Sequence, residues 1–440
     1  MPESALGHDM APRMVAVGVR RTRARWLMLG LVFVGTIINY LDRTNMSVVA
    51  PLISKEFAVS PIAMGILFSA FSWAFAVTTL PGGYLLDRFG TKLTYGWCLG
   101  MWSAMTILQS AVGGFATLFG LRLAVGAAEA PAFPANNKVA TAWFPQTERG
   151  VAGSLCSMGI YVGTAFLTPL LFWIASRYGW REVFAVSGGL GLGWAVVWFL
   201  CYREPAESHI VNAAELAYIS EGGAVVGASP RGAPFRWDLF WRLLTYRQIW
   251  GVCLGKLCAT TTLYFFLTWF PTYLVTERHM TMLKAGAAST LPYLAAGLGV
   301  MFGGWWGDWM IRRGMSVNFA RKTPMVLGLL FTGSIVLANV TASNTLVIAV
   351  LSLSFFAQGM SSTNWVVISE IAPKQLIGMS GSIISFASNL AGIITPITIG
   401  IIVQNTGSFA WALGFCGIVS LVGVFAYTVV LGKIERLHIA

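Results

Sequence analysis

Five ionisable residues stand in otherwise apolar stretches of this 440-residue chain: Asp42, Arg43, Arg122, Glu129 and Lys256. Charge in an apolar segment is costly, so such groups point to binding or proton transfer. Arg122 and Glu129 are seven residues apart. On a helix they share a face and stand roughly 10 Å apart, too far to bond each other. Asp42 and Arg43 are neighbours, about 100° apart around a helix, so they do not face each other either. Two pairs formed between the helices that carry them would satisfy all four groups, in either pairing. With both carboxylates ionised the five groups sum to about +1, and with both protonated to about +3. An organic anion would then bind better once protons have arrived. Arginine suits a carboxylate because its planar fork reaches both oxygens. The chemistry implied is proton-linked binding of a carboxylate, with Asp42 and Glu129 taking the protons.

The segments holding these residues are membrane spans. Hydrophobic residues make up 56% of the chain and charged residues only 10%, against roughly 25% charge in a soluble domain. That excludes a soluble multi-domain protein, and also disorder, which needs low hydrophobicity and high charge. A span needs about 20 apolar residues. Runs at 57–86, 151–176, 183–202, 257–276 and 285–307 qualify, with two spans each in 323–369 and 375–432 and further spans near 26–51, 93–111 and 115–140. The expectation is an all-α integral membrane protein of twelve transmembrane helices in two six-helix bundles. The boundaries are a tail at 1–25, bundles at 26–202 and 248–432, a linker at 203–247 and a C-terminus at 433–440. Asp42 and Arg43 fall in span one, Arg122 and Glu129 in span four, and Lys256 in span seven.

Of the 29 Lys and Arg residues, 21 fall on the side of the N-terminus, five on the other side and three inside spans. Basic loops stay cytoplasmic, so both ends are expected in the cytoplasm. The net charge of +12 is thereby a topology signal rather than a nucleic-acid surface. The tail has no signal-peptide core. The six cysteines lie in apolar segments without metal spacing, and no nucleotide loop or catalytic cluster is present. No metal and no cofactor is expected beyond the proton as coupling ion, and the chain is not read as an enzyme. The linker carries an amphipathic stretch at Trp237 to Tyr246 suited to a membrane surface. Pro131, Pro134 and Pro169 are expected to bend their helices.

The chain repeats itself. Gly65, Gly83, Asp87 and Lys92 recur, all at one constant spacing, as Gly286, Gly304, Asp308 and Arg313. Pro145, Gly150, Gly153 and Ser154 recur at a second, slightly longer spacing as Pro373, Gly378, Gly381 and Ser382. One short insertion in the second half reconciles the two spacings. Such halves are common in transporters. The loop between spans two and three carries Gly83, Asp87, Arg88 and Lys92, and its second copy carries Gly304, Asp308, Arg312 and Arg313. Small glycines let helices approach closely, and an aspartate at a helix end can pair with basic groups to lock a cytoplasmic gate.

The string Gly83 to Lys92 resembles the G-x-L-x-D-R-x-G-x-K/R loop signature of the major facilitator superfamily. Span four, from Arg122 through Gly126, Glu129, Pro131 and Pro134 to Asn137, resembles the sugar-acid members of the anion:cation symporter family, the galactonate and glucarate type. So do Asn39 to Asn45, Trp143-Phe144-Pro145, Phe270 to Leu274 and Ala320 to Pro324. The resemblance covers about 26–435. It implies the twelve-helix fold in the bacterial inner membrane and proton symport of a small organic anion, an aldonate or aldarate, into the cytoplasm by alternating access. It implies a monomer whose other partners are protons and the lipid bilayer.

Carried over by position, the resemblance makes Asp42 and Glu129 the proton-binding pair and gives the substrate carboxylate to Arg43 and Arg122. It places Tyr40, Ser362, Asn364 and Trp365 in the pocket. The sequence departs from the galactonate pattern at Phe75, Ile160, Lys256 and Ser385, which stand where tyrosine, glutamine, glutamine and asparagine are expected. Asn389, one turn after Ser385, replaces some of the lost hydrogen bonding. Fewer hydroxyl-recognising groups and one more cation also fit a transporter or exchanger of a less hydroxylated carboxylate, tartrate-like or an aromatic dicarboxylate.

Overall fold

The computed structural model describes residues 21–224, 237–362, 364–373 and 376–437. The first half comprises α1 (Ala24–Glu56), α2 (Pro61–Leu108), α3 (Phe115–Glu129), α4 (Ala132–Trp143), α5 (Arg149–Tyr178) and α6 (Trp180–Cys201). Short helices α7 (Ala213–Glu221) and α8 (Trp237–Leu243) follow in the linker. The second half comprises α9 (Arg247–Thr268), α10 (Phe270–Thr276), α11 (Met282–Arg312), α12 (Val317–Thr332), α13 (Asn344–Met360), α14 (Asn364–Ile371), α15 (Ile377–Thr406) and α16 (Ala410–Phe425). There is no strand among the described residues. Local chemistry sets several starts. Ser60, Thr281 and Ser316 precede α2, α11 and α12, and each hydroxyl accepts from the N–H three residues on, which satisfies a donor the helix leaves orphaned.

Nine helical stretches among the described residues are long and apolar enough to cross a bilayer. The three other expected spans are helical too, but run on from a neighbour or are broken. Residues 91–108 continue α2 past a kink at Gly90, whose φ of 78° suits glycine alone. The expected loop from Gly83 to Lys92 is thus helical on both sides of one residue. Span four is divided into α3 and α4 at Pro131, which has no N–H and crowds the carbonyl four residues back. Span ten is divided into α13 and α14. Pro134 lies in the first turn of α4, and Pro169 sits inside an unbroken α5.

The two halves meet through α2 against α15 and α5 against α11, pairs related by the sequence repeat. At the end of the bundle away from the start of α1, which we call the far end, the halves share one continuous core. It includes Phe68, Phe172, Phe265, Phe266, Trp269 and Phe409. Trp269 Nε1 donates to Pro396 O at 3.0 Å, and the Phe68 and Trp269 rings stand 5.2 Å apart. Gly65 backs directly on Pro396, where any Cβ would come within 2.4 Å of its carbonyl oxygen. At the opposite, terminal end the core divides. One cluster is built only from residues 24–219 and another only from 243–437.

The described part of the tail, from residue 21, is anchored. Thr22 and the Ala24 N–H donate to the buried Glu215 of α7, and Arg25 bridges Glu215 at 2.8 Å and Glu148 at 3.0 Å. Tyr218 of α7 donates to Glu148 at 2.7 Å. Burial opposes ionisation of Glu148, but the Tyr218 and Arg25 hydrogen bonds prevail and hold its carboxyl below the ordinary value. These contacts fasten α7 to the first half. Trp237 and Trp241 of α8 are exposed while Leu243 is buried, as an amphipathic surface helix requires.

Candidate functional site

The four charges of spans one and four do come together, midway between the two ends. Arg43 Nε donates to Glu129 Oε2 at 3.1 Å, joining α1 to the last residue of α3. The second expected ion pair is absent, which corrects the two-pair reading. Arg122 instead donates from Nη1 to the Asp42 carbonyl at 3.0 Å and from Nη2 to the Arg43 carbonyl at 3.3 Å. A carbonyl oxygen has a second lone pair free after its helical hydrogen bond, so Arg122 clasps the α1 backbone without disrupting it. The Asp42 carboxylate is fully buried, and Asn45 Nδ2 donates to its Oδ1 at 3.5 Å. Asn45 also donates to Ser187 of α6 at 3.1 Å.

The network is under-filled. Among the described residues, Asp42 Oδ2, Glu129 Oε1, Arg43 Nη2, Arg122 Nε and both amide atoms of Asn39 are buried without a hydrogen-bond partner. Buried polar atoms are normally paired. Here spare donors and acceptors sit side by side, as a site needs if it is to take protons and an anion. Arg43 is also caged by rings: its Cζ lies 4.5 Å from the centre of Phe71, 4.9 Å from Tyr40 and from Phe75, and 5.6 Å from Phe133. A guanidinium over aromatic faces gains cation–π attraction. The cage also fixes the direction in which the fork points.

The second half brings a different set. Thr260 of α9 and Ser388 of α15 share a hydrogen bond of 2.9 Å. One turn further along, Tyr264 stands against Gly392 beside Ser72 of α2. Lys256 is half-buried two turns before Tyr264 on α9. Ser385 and Asn389 lie on α15 around Ser388, and Ser362, in the turn after α13, donates to Gln358 O at 3.2 Å. Asn364 and Trp365 open α14, and their side chains lie outside the described residues.

The residues expected to form the gate lie at the terminal end, apart from this site. Asp87 pairs with Lys138 at 3.1 Å and Asp308 with Arg321 at 2.7 Å, each within its own half. Arg321 also reaches Glu370 at 3.0 Å. Arg88 donates to Tyr84 within its own turn. Arg313 lies over Trp309, Arg312 is exposed, and the Lys92 carbonyl accepts from Trp198 Nε1. Gly83 and Gly304 face open space, unlike the close-packed repeat pair Gly65 and Gly286.

Sequence reasoning missed Asn39, Phe71, Phe133 and Tyr264. Asn39 had a usable signal, because it lies one turn before Arg43 and so shares its face. The rings had none, among 28 phenylalanines.

Comparison with known proteins fits this architecture. The chain is 41% identical over 418 residues to the D-galactonate transporter of Escherichia coli O6:H1, covering 94% of this chain and 97% of that one. It is 39% identical over 432 residues to the probable galactarate/D-glucarate transporter of Escherichia coli K12, covering 96% of each. Among solved structures, the inward-open xylose transporter of E. coli superposes with a TM-score of 0.71 at 16% identity, over 92% of this chain and 96% of that one. The inward-facing bacterial homologue of the lysosomal transporter Spinster gives 0.69 at 20% identity, over 93% and 95%. The Major Facilitator Superfamily model matches residues 32–396 and 285–437. With its helices, its paired halves and this match, the chain belongs to the Major Facilitator Superfamily, a family of membrane transporters.

Proposed function

We propose that the protein is a proton-coupled symporter that carries a small organic anion, a sugar acid of the aldonate or aldarate type, into the cytoplasm by alternating access. The observation that carries this reading is the buried Arg43–Glu129 pair beside Arg122 and Asp42, with a donor unfilled on each arginine and an acceptor unfilled on each carboxylate. A proton arriving on Glu129 weakens its hold on Arg43. The freed guanidinium, with the spare Nε of Arg122, then takes a substrate carboxylate, and proton and anion move together. The names of the relatives support a sugar acid. The excess of basic residues at the terminal end supports a cytoplasmic location for both chain ends in a bacterial inner membrane. On that orientation the divided core supports an inward-facing state, in which the exposed Asp87 and Asp308 would be gate groups released from cross-half locking. The working unit is a monomer.

The test is uptake of radiolabelled galactonate and galactarate into proteoliposomes with an imposed inward proton gradient. The reading requires accumulation that collapses on addition of a protonophore. Accumulation indifferent to the gradient, or no uptake of either acid, overturns it.

A further inference from the structure

Lys256 is the charge that the proton site does not use. Among the described residues it has neither an ion pair nor a hydrogen bond, and no charged side chain stands near enough to act on it. A lone ammonium inside a span is expensive, so a group that meets it only during transport is the natural explanation. Its direction follows from the register of α9 on α15. Thr260 meets Ser388, and four residues on in both helices Tyr264 meets Gly392. One turn back, the same register sets Lys256 beside Ile384 and Ser385. Lys256, Thr260, Ser385, Ser388 and Asn389 therefore form a polar stripe on the second half. One turn beyond Thr260, Tyr264 stands beside Ser72 of α2, next in sequence to Phe71 of the Arg43 cage.

The stripe separates two cationic poles. Lys256 lies eight residues before Tyr264, about 12 Å along the helix axis. A lysine stem is flexible and can lean several ångströms back towards the Arg43 and Arg122 pole. An extended six-carbon diacid fills the remainder, with hydroxyls between its ends to meet Thr260, Ser385 and Asn389. Charge balance points the same way. At a fixed number of bound protons, one added cation offsets one further negative charge on the substrate. A monoanion would leave that ammonium unpaired in a low-dielectric site.

We infer that Lys256 binds the second carboxylate of a dicarboxylate, so that the substrate is an aldarate-type diacid held by one end at Arg43 and Arg122 and by the other at Lys256. This rests on the symporter reading above.

Galactarate and galactonate make a matched pair, differing by a carboxylate in place of a hydroxymethyl at one end. Initial uptake of each is measured for the full-length protein, for Lys256→Gln and for Lys256→Arg, normalised to the protein recovered as a monodisperse peak in detergent. The wild type should favour galactarate. Lys256→Gln should lower the galactarate-to-galactonate ratio at least tenfold, and Lys256→Arg, which keeps the charge, should hold it within about threefold. An unchanged ratio in Lys256→Gln, or a wild type that favours galactonate, overturns this inference and leaves the symporter reading standing. A wild type that transports neither acid overturns both.

Discussion

The two halves of this transporter share a helical plan and differ in where they place charge. At the first repeat spacing, Asp42 and Arg43 have Leu263 and Tyr264 as counterparts. At the second, Arg122 and Glu129 have Val350 and Ala357. The charge network of the first half has been replaced by apolar and hydroxyl groups in the second. The reverse holds for Lys256, whose counterpart is Gly35. There a Cβ would come within 2.3 Å of Tyr95 OH, so a side chain at that position would have to displace the buried Tyr95 ring. The repeat sets the packing, while the proposed function rests on positions where the copies disagree. On the proposed function, the first half would hold the coupling protons next to an anion clamp. The second offers hydroxyls and Lys256, the cation proposed to choose among anions.

The sharpest break of this contrast makes the first half resemble the second. Glu129→Gln keeps the size and a hydrogen-bonding tip but holds no titratable proton. One coupled proton can support about tenfold accumulation per unit of imposed pH gradient, since a unit is worth about 1.36 kcal/mol. Gradient-driven accumulation of galactarate in proteoliposomes should vanish in this variant, while exchange of internal for external substrate persists. Asp42→Asn should behave alike. Accumulation at the wild-type level in both would remove the proton role from the first half.

Arg122→Leu tests the clamp. It removes both donors to the Asp42 and Arg43 carbonyls and leaves the two carboxylates with Arg43 alone. Removing one partner from a buried charge network costs about 3–5 kcal/mol. Uptake should be lost and the detergent-solubilised protein should melt several degrees lower. An unchanged melting temperature would show that the clasp on α1 is not structural.

The sequence exposed the charged residues because ionisable groups are so rare in spans that position alone singles them out. It exposed the halves because Gly, Asp and Pro recur at fixed offsets. It missed the acceptors of Arg122, since any span offers a run of carbonyls and no side-chain letter marks the one used. The kink at Pro131 was readable from the missing N–H. Gly90 was not, because 48 glycines do not announce which takes a left-handed φ. The cage around Arg43 was hidden for a related reason. Phe71, Phe75 and Phe133 come from α2 and α4, and only tertiary packing separates them from phenylalanines that face lipid.

Within the second half, Thr260→Val and Ser388→Ala each remove one neutral hydrogen bond worth about 1 kcal/mol. Thr260→Val, which also removes a hydroxyl that the proposal turns towards the substrate, should raise the apparent KM for galactarate by roughly fivefold, and both variants should leave proton dependence intact. A change in the pH profile of uptake would contradict that division.

The smallest effect expected is at Glu148, whose counterpart at the second repeat spacing is Leu376; the clasp on α7 thus belongs to the first half alone. The Glu148 carboxyl is held below its ordinary value of 4.5 by Tyr218 and Arg25 against the cost of burial. A depressed carboxylate stabilises the fold at pH above its unfolded value and loses that contribution as pH falls through its folded value. Glu148→Gln should therefore lower thermal stability at pH 7 by about 1 kcal/mol or less. The gap to the wild type should close as pH drops below about 4.5. Leu376→Ala, at the counterpart position, should show no such pH-dependent gap. If it did, the pH dependence would come from elsewhere in the fold, and the clasp would not be what distinguishes the first half at this end.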